Sequence, residues 1–277
     1  MDRRRIPGPE ASVKPIIERA DDEDTQHVAP LKTIDDIRQD GRSLDKIRKA
    51  WLAPGIITQA NGSAYIEFQG TKVACAVYGP RATKISAFSG KGSLNCEIKF
   101  APFSCQKRRS PQRDPQEKEL SHLLFEALAP AVRLDLLPKS TIDVFVTILQ
   151  NDGNGSCLAA SITAASVALA DAGIEMLDQV AACSACYIDD EIWIDCTLRE
   201  EEHAQGSLVL SYMSSLNEIT HMLQSGEISV SGTIRTIEQC TEACSKIYSI
   251  MGNCLLESVR RKLEKDNTLG GLNKKEG

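Results

Sequence analysis

Asn151-Asp-Gly-Asn-Gly-Ser-Cys157, continuing as Leu158-Ala-Ala-Ser-Ile-Thr-Ala-Ala-Ser-Val-Ala-Leu-Ala-Asp-Ala-Gly173, is the stretch on which the fold turns. Just upstream, Ile142-Asp-Val-Phe-Val-Thr-Ile-Leu149 is rich in β-branched and apolar residues and predicts a strand. Downstream, Leu158, Ile162, Ala165 and Leu169 share one face at helical spacing. A strand therefore enters a glycine-rich turn and leaves as a helix. Such a turn aims backbone N–H groups and the positive end of a helix dipole at whatever lies above it, which makes it an anion site. The glycines by themselves favour the plainer reading, a tight turn closing a strand onto a small-residue helix.

Composition narrows the classes. The chain has 277 residues, enough for one large domain or two small ones, and 42% apolar residues, enough for a core. Its net charge of −6 gives no global attraction to nucleic acid, so any such contact must come from a local basic patch. No apolar run is long enough to cross a bilayer, and Met1-Asp-Arg-Arg-Arg-Ile-Pro7 lacks the apolar segment of a signal peptide. Ten cysteines in such a chain read as free thiols of a reducing compartment, and Cys75, Cys96 and Cys254 sit in apolar settings. Cys183 and Cys186 form the only Cys-x-x-Cys. Zinc would need a second pair, which Cys196 and His203 do not supply, so neither a metal nor any other cofactor is expected.

Outward from the central turn, the expected division is a flexible tail over 1–32, a domain over 33–265 and a second tail over 266–277. The first tail is proline-rich with an acidic run at Asp21-Asp-Glu-Asp24. Asp40-Gly41 signals a turn. Three antiparallel strands are expected at 56–60, 63–68 and 72–78, joined at Asn61-Gly62 and Gln69-Gly70, with Gly79-Pro80-Arg81 ending the third. A polar loop over 82–92 leads to a strand at 94–100. From Ile98 to Arg113 there are five basic residues (Lys99, Lys107, Arg108, Arg109 and Arg113) and no acid, which reads as a solvated loop or as a contact to a phosphate backbone. A helix over 115–132 follows, with Asp114 as N-cap and Pro115 at its first position. Beyond the central helix, strands are expected at 180–188, 192–195 and 208–213. His122 and His221 fall in stretches read as helical. A long helix over 233–264, dented at Gly252, ends in a frayed lysine-rich tail from Asn267. The order of elements predicts an α+β or α/β domain.

Three segments together resemble the RNase PH family: Asp40-Gly-Arg42 with Arg48, the hairpin Asn61-Gly-Ser-Ala-Tyr-Ile-Glu-Phe-Gln-Gly-Thr-Lys-Val73, and the turn and helix from Asn151 to Gly173. The likeness spans about 34–260 and is strongest toward the RNase PH-like ring subunits of the eukaryotic RNA exosome, to which Ala101-Pro-Phe103 and Asp195-x-Thr-x-x-Glu-Glu-Glu202 are also similar. It implies an RNase PH-like α+β fold and a chemistry in which phosphate cleaves the 3′-terminal linkage of RNA. The family grips phosphate with the turn, a Ser or Thr and an adjoining Arg. It uses two aspartates six residues apart, and basic residues that hold RNA.

Carried onto this chain, the turn keeps Ser156 but has Cys157 where the arginine stands; a thiol makes no bidentate phosphate contact. The aspartate positions fall on Glu201 and Ser207. Glutamate is one methylene too long, and serine can neither anchor a divalent cation nor exchange a proton near neutrality. Lys107, Arg108, Arg109 and Arg113 lie where the family presents RNA-binding residues. The resemblance therefore implies a non-catalytic subunit of the exosome core ring. Its expected partners are other RNase PH-like subunits, a cap subunit with S1-type domains, and RNA threaded through the channel. The setting would be 3′-to-5′ RNA processing and decay, rRNA maturation included, in nucleus, nucleolus and cytoplasm. The rival readings are an active phosphate-dependent 3′–5′ exoribonuclease, against which Cys157, Glu201 and Ser207 argue, and a small-molecule enzyme, for which no His/Ser/Asp or Cys/His pairing is present.

Overall fold

A computed structural model describes residues 38–82, 90–110, 112, 114–189 and 191–272. The tail expected over 1–32, most of the 82–92 loop and Arg113 lie outside the described residues. The chain resolves into two units, 1–41 and 42–277. In the smaller, the expected turn at Asp40-Gly41 is closed by Gly41 N–H donating to the Arg38 carbonyl at 2.9 Å. Everything below concerns the larger unit.

Its first sheet has the order β1-β2-β3-β5-β4. The strands are β1 (Ala50–Pro54), β2 (Gly62–Phe68), β3 (Thr71–Ala82), β4 (Ser93–Phe100) and β5 (Ser140–Gln150). Only the β4–β5 pairing is parallel. The second sheet, antiparallel throughout, has the order β7-β6-β8-β9, from β6 (Val180–Ile188), β7 (Glu191–Ile194), β8 (Gly206–Met213) and β9 (Glu218–Gly226). Helix α1 (Pro115–Leu128) packs on β4, and the long α4 (Val230–Leu272) on β6, β8 and β1.

Helix α2 (Asn154–Asp171) lies between the sheets, against β2 and β3 on one side and β6 and β8 on the other. Every residue from Ser156 to Leu169 is buried, which explains a helix made of Ala, Ser and small apolar residues rather than a two-faced one. Its buried hydroxyls have a specific task. Strand β7 pairs with β6 only from Ala185 to Ile188. Upstream of that stretch, the Val180 and Ala182 N–H groups donate to Ser166 Oγ (2.9 Å) and Thr163 Oγ1 (3.2 Å). Side chains of α2 thus replace a missing strand, as buried N–H groups require.

A helix lies beside each edge of the first sheet. The Ile98 and Phe100 N–H groups of β4 donate to Ser121 Oγ (2.8 Å) and Glu117 Oε1 (3.1 Å) of α1. The Leu52 carbonyl of β1 accepts from the Cys254 thiol of α4 at 3.1 Å. The N–H groups of β4 so occupied are not offered to another strand.

The structure departs from the sequence expectations in local ways. The first strand is β1 at 50–54, not 56–60. Gly55, at φ 73°, ends the strand, and Ile57 N–H then bonds Ser63 Oγ at 2.9 Å. Strand β3 does not stop at Gly79-Pro80; a register shift between Tyr78 and Arg81 absorbs the proline, which has no N–H to give. Helix α1 stops at Leu128, short of Val132. His221 stands in β9, not in a helix, with Nε2 3.2 Å from Glu126 Oε2. Helix α4 passes Gly252 and continues to Leu272, so 267–272 are helical rather than a frayed tail. A five-residue helix, α3 (Leu198–Glu202), was too short to show a period in sequence; the capping box of Thr197 and Glu200 starts it.

Replacing Thr163 by Val keeps the shape of α2 but strands the Ala182 N–H. A loss of about 1–3 kcal/mol in urea unfolding is expected, whereas Ser249→Ala on exposed α4 should change little.

Candidate functional site

The site is built on one guanidinium. Arg48, 2% exposed, donates from Nη2 and Nε to Asp195 Oδ1 (2.6 Å) and Oδ2 (3.0 Å), while its backbone N–H reaches Oδ2 at 2.9 Å. Nη1 turns to Asp152 Oδ2 at 3.0 Å. Arg42 adds a bond from Nη2 to the Asp195 carbonyl at 3.2 Å. Asp195 takes φ 54° as the chain leaves β7. Burial pushes the Asp195 carboxyl up, but the paired guanidinium more than reverses this and holds it below its ordinary value. Burial likewise lowers Arg48, and Asp195 with Asp152 outweighs it.

The segments that carry the family resemblance within this unit meet here. Arg42 and Arg48 hold Asp195, which lies between β7 and α3. Asp152 brings in the central turn. The hairpin contributes Thr71, whose Oγ1 is 3.2 Å from Ser156 Oγ, and Gly70, where a Cβ would stand 2.6 Å from Asp152 Oδ2. Only glycine allows the hairpin to lie this close to the turn.

The N–H groups at the start of α2 are occupied. Asn154 N–H donates to Glu201 Oε2 at 2.7 Å and Gly155 N–H to Oε1 at 2.9 Å. A Cβ on Gly153 or Gly155 would come within 3.0 and 3.1 Å of Oε1, so the glycines make room for this carboxylate. Burial raises the Glu201 carboxyl above its ordinary value, against the pull of these N–H bonds and of Arg48. Cys157 is fully buried; its thiol donates to Asn151 Oδ1 at 2.8 Å and is pushed up to about 12, chiefly by burial. It is neutral at physiological pH. Ser156 is buried against Thr71. Ser207, on β8, shares a cavity of about 420 Å³ with Asn154, Gly155 and Glu201. The structure therefore brings Glu201 and Ser207 to one opening beside the turn. Among the described residues no group of three His, Cys, Asp or Glu side chains is placed to hold a metal ion.

The basic segment docks on the same turn. Asn151 N–H donates to the Ser104 carbonyl at 2.9 Å, and Gln116 Nε2 to Asn154 Oδ1 at 3.3 Å. Its cations divide. Arg109 is turned inward: Nε donates to Cys105 Sγ (3.1 Å), Nη1 to Asp114 (3.2 Å) and Nη2 to Gln116 (3.0 Å), and its guanidinium lies 3.8 Å over the Phe100 ring. Arg109 thus braces the loop. Lys107 and Arg108 are exposed, as is Phe103 at 71%. Sequence reasoning missed the inward role of Arg109, because spacing along a loop carries no direction. It also missed Cys105. Burial raises that thiol, but bonds from Ser104, Arg109 and Asn151 and the Arg109 charge bring it below its ordinary value.

Replacing Arg48 by Met strands the buried Asp195 carboxylate and should cost about 3–5 kcal/mol. Because the folded-state value of Asp195 is depressed, its contribution is full above the unfolded carboxylate value of about 3.9 and is lost as pH falls through the folded value. The acid limb of a stability–pH curve should flatten in the variant. Iodoacetamide should label Cys105 ahead of Cys157 at neutral pH, and Arg109→Ala should slow that labelling.

Comparison with known proteins agrees with this geometry. The profile of the 3′ exoribonuclease family, domain 1, matches residues 46–175, and that of domain 2 matches 178–244, so the division falls between the two sheets. The chain is 36% identical over 259 residues to the exosome complex component mtr3 of Schizosaccharomyces pombe, covering 92% of this chain and 96% of that protein. It is 35% identical to the exosome complex component Rrp41 of Cenarchaeum symbiosum, over 79% of this chain and 90% of that one. Among solved structures, rice Rrp46 superposes with a TM-score of 0.68 at 27% identity, covering 77% of this chain and 98% of its own. With two sheets enclosing the helix of the glycine turn, and both halves matched, the chain belongs to the RNase PH family of 3′ exoribonucleases, among its exosome components.

Proposed function

We propose that this chain is a non-catalytic RNase PH-like subunit of an RNA exosome core ring, working as a scaffold and a contact for RNA in the channel. The near end-to-end match to mtr3 supports the ring role. The observation that carries the loss of catalysis is the use of Glu201. At the two positions where the family places catalytic aspartates, one carboxylate is bound to the turn by both oxygens, and the other position is Ser207, which has none. Neither is disposed to bind a cation or to move a proton at a scissile phosphate. The neutral Cys157 supplies no charge to phosphate.

In this reading the neighbours are other RNase PH-like subunits and a cap subunit with S1-type domains. The complex carries out 3′-to-5′ processing and decay of RNA, rRNA maturation included, in nucleus, nucleolus and cytoplasm. Lys107 and Arg108, with Arg113, hold the RNA backbone, and Phe103 offers an exposed ring on which a base stacks.

The test is phosphate-dependent release of nucleoside diphosphate from 3′-labelled RNA, by the chain alone and co-expressed with ring subunits. No product from the chain alone, with a stoichiometric complex in the second arm, is expected. Phosphorolysis that disappears in Glu201→Ala would make the chain an enzyme. In the assembled ring, replacing Lys107 and Arg108 by Ala should reduce the slope of log affinity against log salt by about 1.4, from about 0.7 per single-strand phosphate contact. An unchanged slope would return both residues to the solvated surface.

A further inference from the structure

The glycine turn has the form of an anion site, yet its N–H groups already hold an anion from within the chain. We infer that Glu201 decides what this turn can bind: its carboxylate is a built-in ligand that closes a working oxyanion site to inorganic phosphate.

Four observations converge. The N–H groups of Asn154 and Gly155 each meet a different oxygen of one carboxylate, at 2.7 and 2.9 Å, so the turn is shaped for a small oxyanion and is not merely polar. Gly153 and Gly155 leave space that a Cβ would fill, 3.0 and 3.1 Å from Oε1. Ser184, 3% exposed, packs its Cβ 3.3 Å from where a Gly155 Cβ would stand, and its hydroxyl has no hydrogen-bond partner among the described residues. The Glu201 oxygen and the side chain that carries this unpartnered hydroxyl thus flank the same point of the turn. Finally, the cavity of about 420 Å³ lined by Glu201 and Ser207 opens onto the same N–H groups, so an outside anion has a route and lacks only a vacancy.

Side-chain length decides the occupancy. Glu201 projects from α3, whose start is set by the Thr197 capping box, and its two methylenes just span the gap to the turn. An aspartate on the same backbone falls short by about 1.5 Å, one C–C bond, and cannot hold both N–H groups. The inference concerns the turn alone and stands whether or not the chain assembles into a ring.

The experiment titrates inorganic phosphate into the purified full-length chain at constant ionic strength, followed by calorimetry and by the amide resonances of Asn154 and Gly155. The wild type should show no saturable binding and no movement of those amides. Glu201→Ala should gain one saturable site, at least about tenfold tighter, a difference of about 1.4 kcal/mol, with both amides shifting. Glu201→Asp keeps the charge and leaves the turn, so it should show an intermediate gain; it carries the test if the alanine variant does not fold. Adding Lys107→Ala and Arg108→Ala to Glu201→Ala should leave the new site intact. The inference is overturned if folded Glu201→Ala or Glu201→Asp binds phosphate no better than wild type. It is equally overturned if the wild type binds as tightly as the variants, or if the gained site vanishes with Lys107 and Arg108.

Discussion

Arg48 is the residue on which the architecture around the turn depends. A buried guanidinium costs several kcal/mol to desolvate, and here it is compensated on three sides: Asp195 takes two side-chain donors, Asp152 takes a third, and the neutral hydroxyl of Thr71 lies 3.5 Å away. Those partners come from the link between β7 and α3, the glycine turn and the first hairpin. No single segment can satisfy the charge, so it settles only when all three are in place. The pairing thereby links the two sheets and sets the distance between the turn and the segment that carries Glu201.

From that distance follows the character of the site. The resemblance implies a turn that binds phosphate at the N-terminus of α2. Here α3 delivers a carboxylate of the right length to the same N–H groups, Cys157 contributes a neutral thiol, and Ser207 faces the cavity without charge. In the function proposed above, these residues turn a site for binding and chemistry into a structural joint between α3 and the glycine turn. The fold is that of the family, and function on such a fold is decided by the site grafted on it.

The basic segment shows the same economy. Its cations look equivalent in sequence, yet Arg109 is consumed by Asp114, Gln116, Cys105 and the Phe100 ring, Lys99 pairs with Glu97 at 2.9 Å, and Lys107 and Arg108 are exposed. The inward arginine holds the loop against the turn and so fixes where the outward pair stands. An identical charge has opposite uses a residue apart because direction depends on what packs behind the backbone.

Much was legible from residues alone. The strand, glycine turn and helix at 142–173, the Gln69-Gly70 hairpin and the Asp114-Pro115 helix start follow from local rules of period, turn chemistry and capping, which act over a few residues and need no partner. The identities of Cys157, Glu201 and Ser207 are likewise plain in the sequence, and the structure places all three around the glycine turn. What sequence could not supply were facts about distance between remote segments. That β1 lies at 50–54 is set by its pairing with Ala64–Phe68 of β2 across a link of several residues. That α2 carries Thr163 and Ser166 makes sense only beside the unpaired half of β6. That Glu201 fills the turn requires α3, a helix too short to leave a period, to stand one side-chain length from Gly155. Local propensity determined the pieces; tertiary packing decided which buried donor meets which acceptor, because those choices are made between groups far apart in the chain.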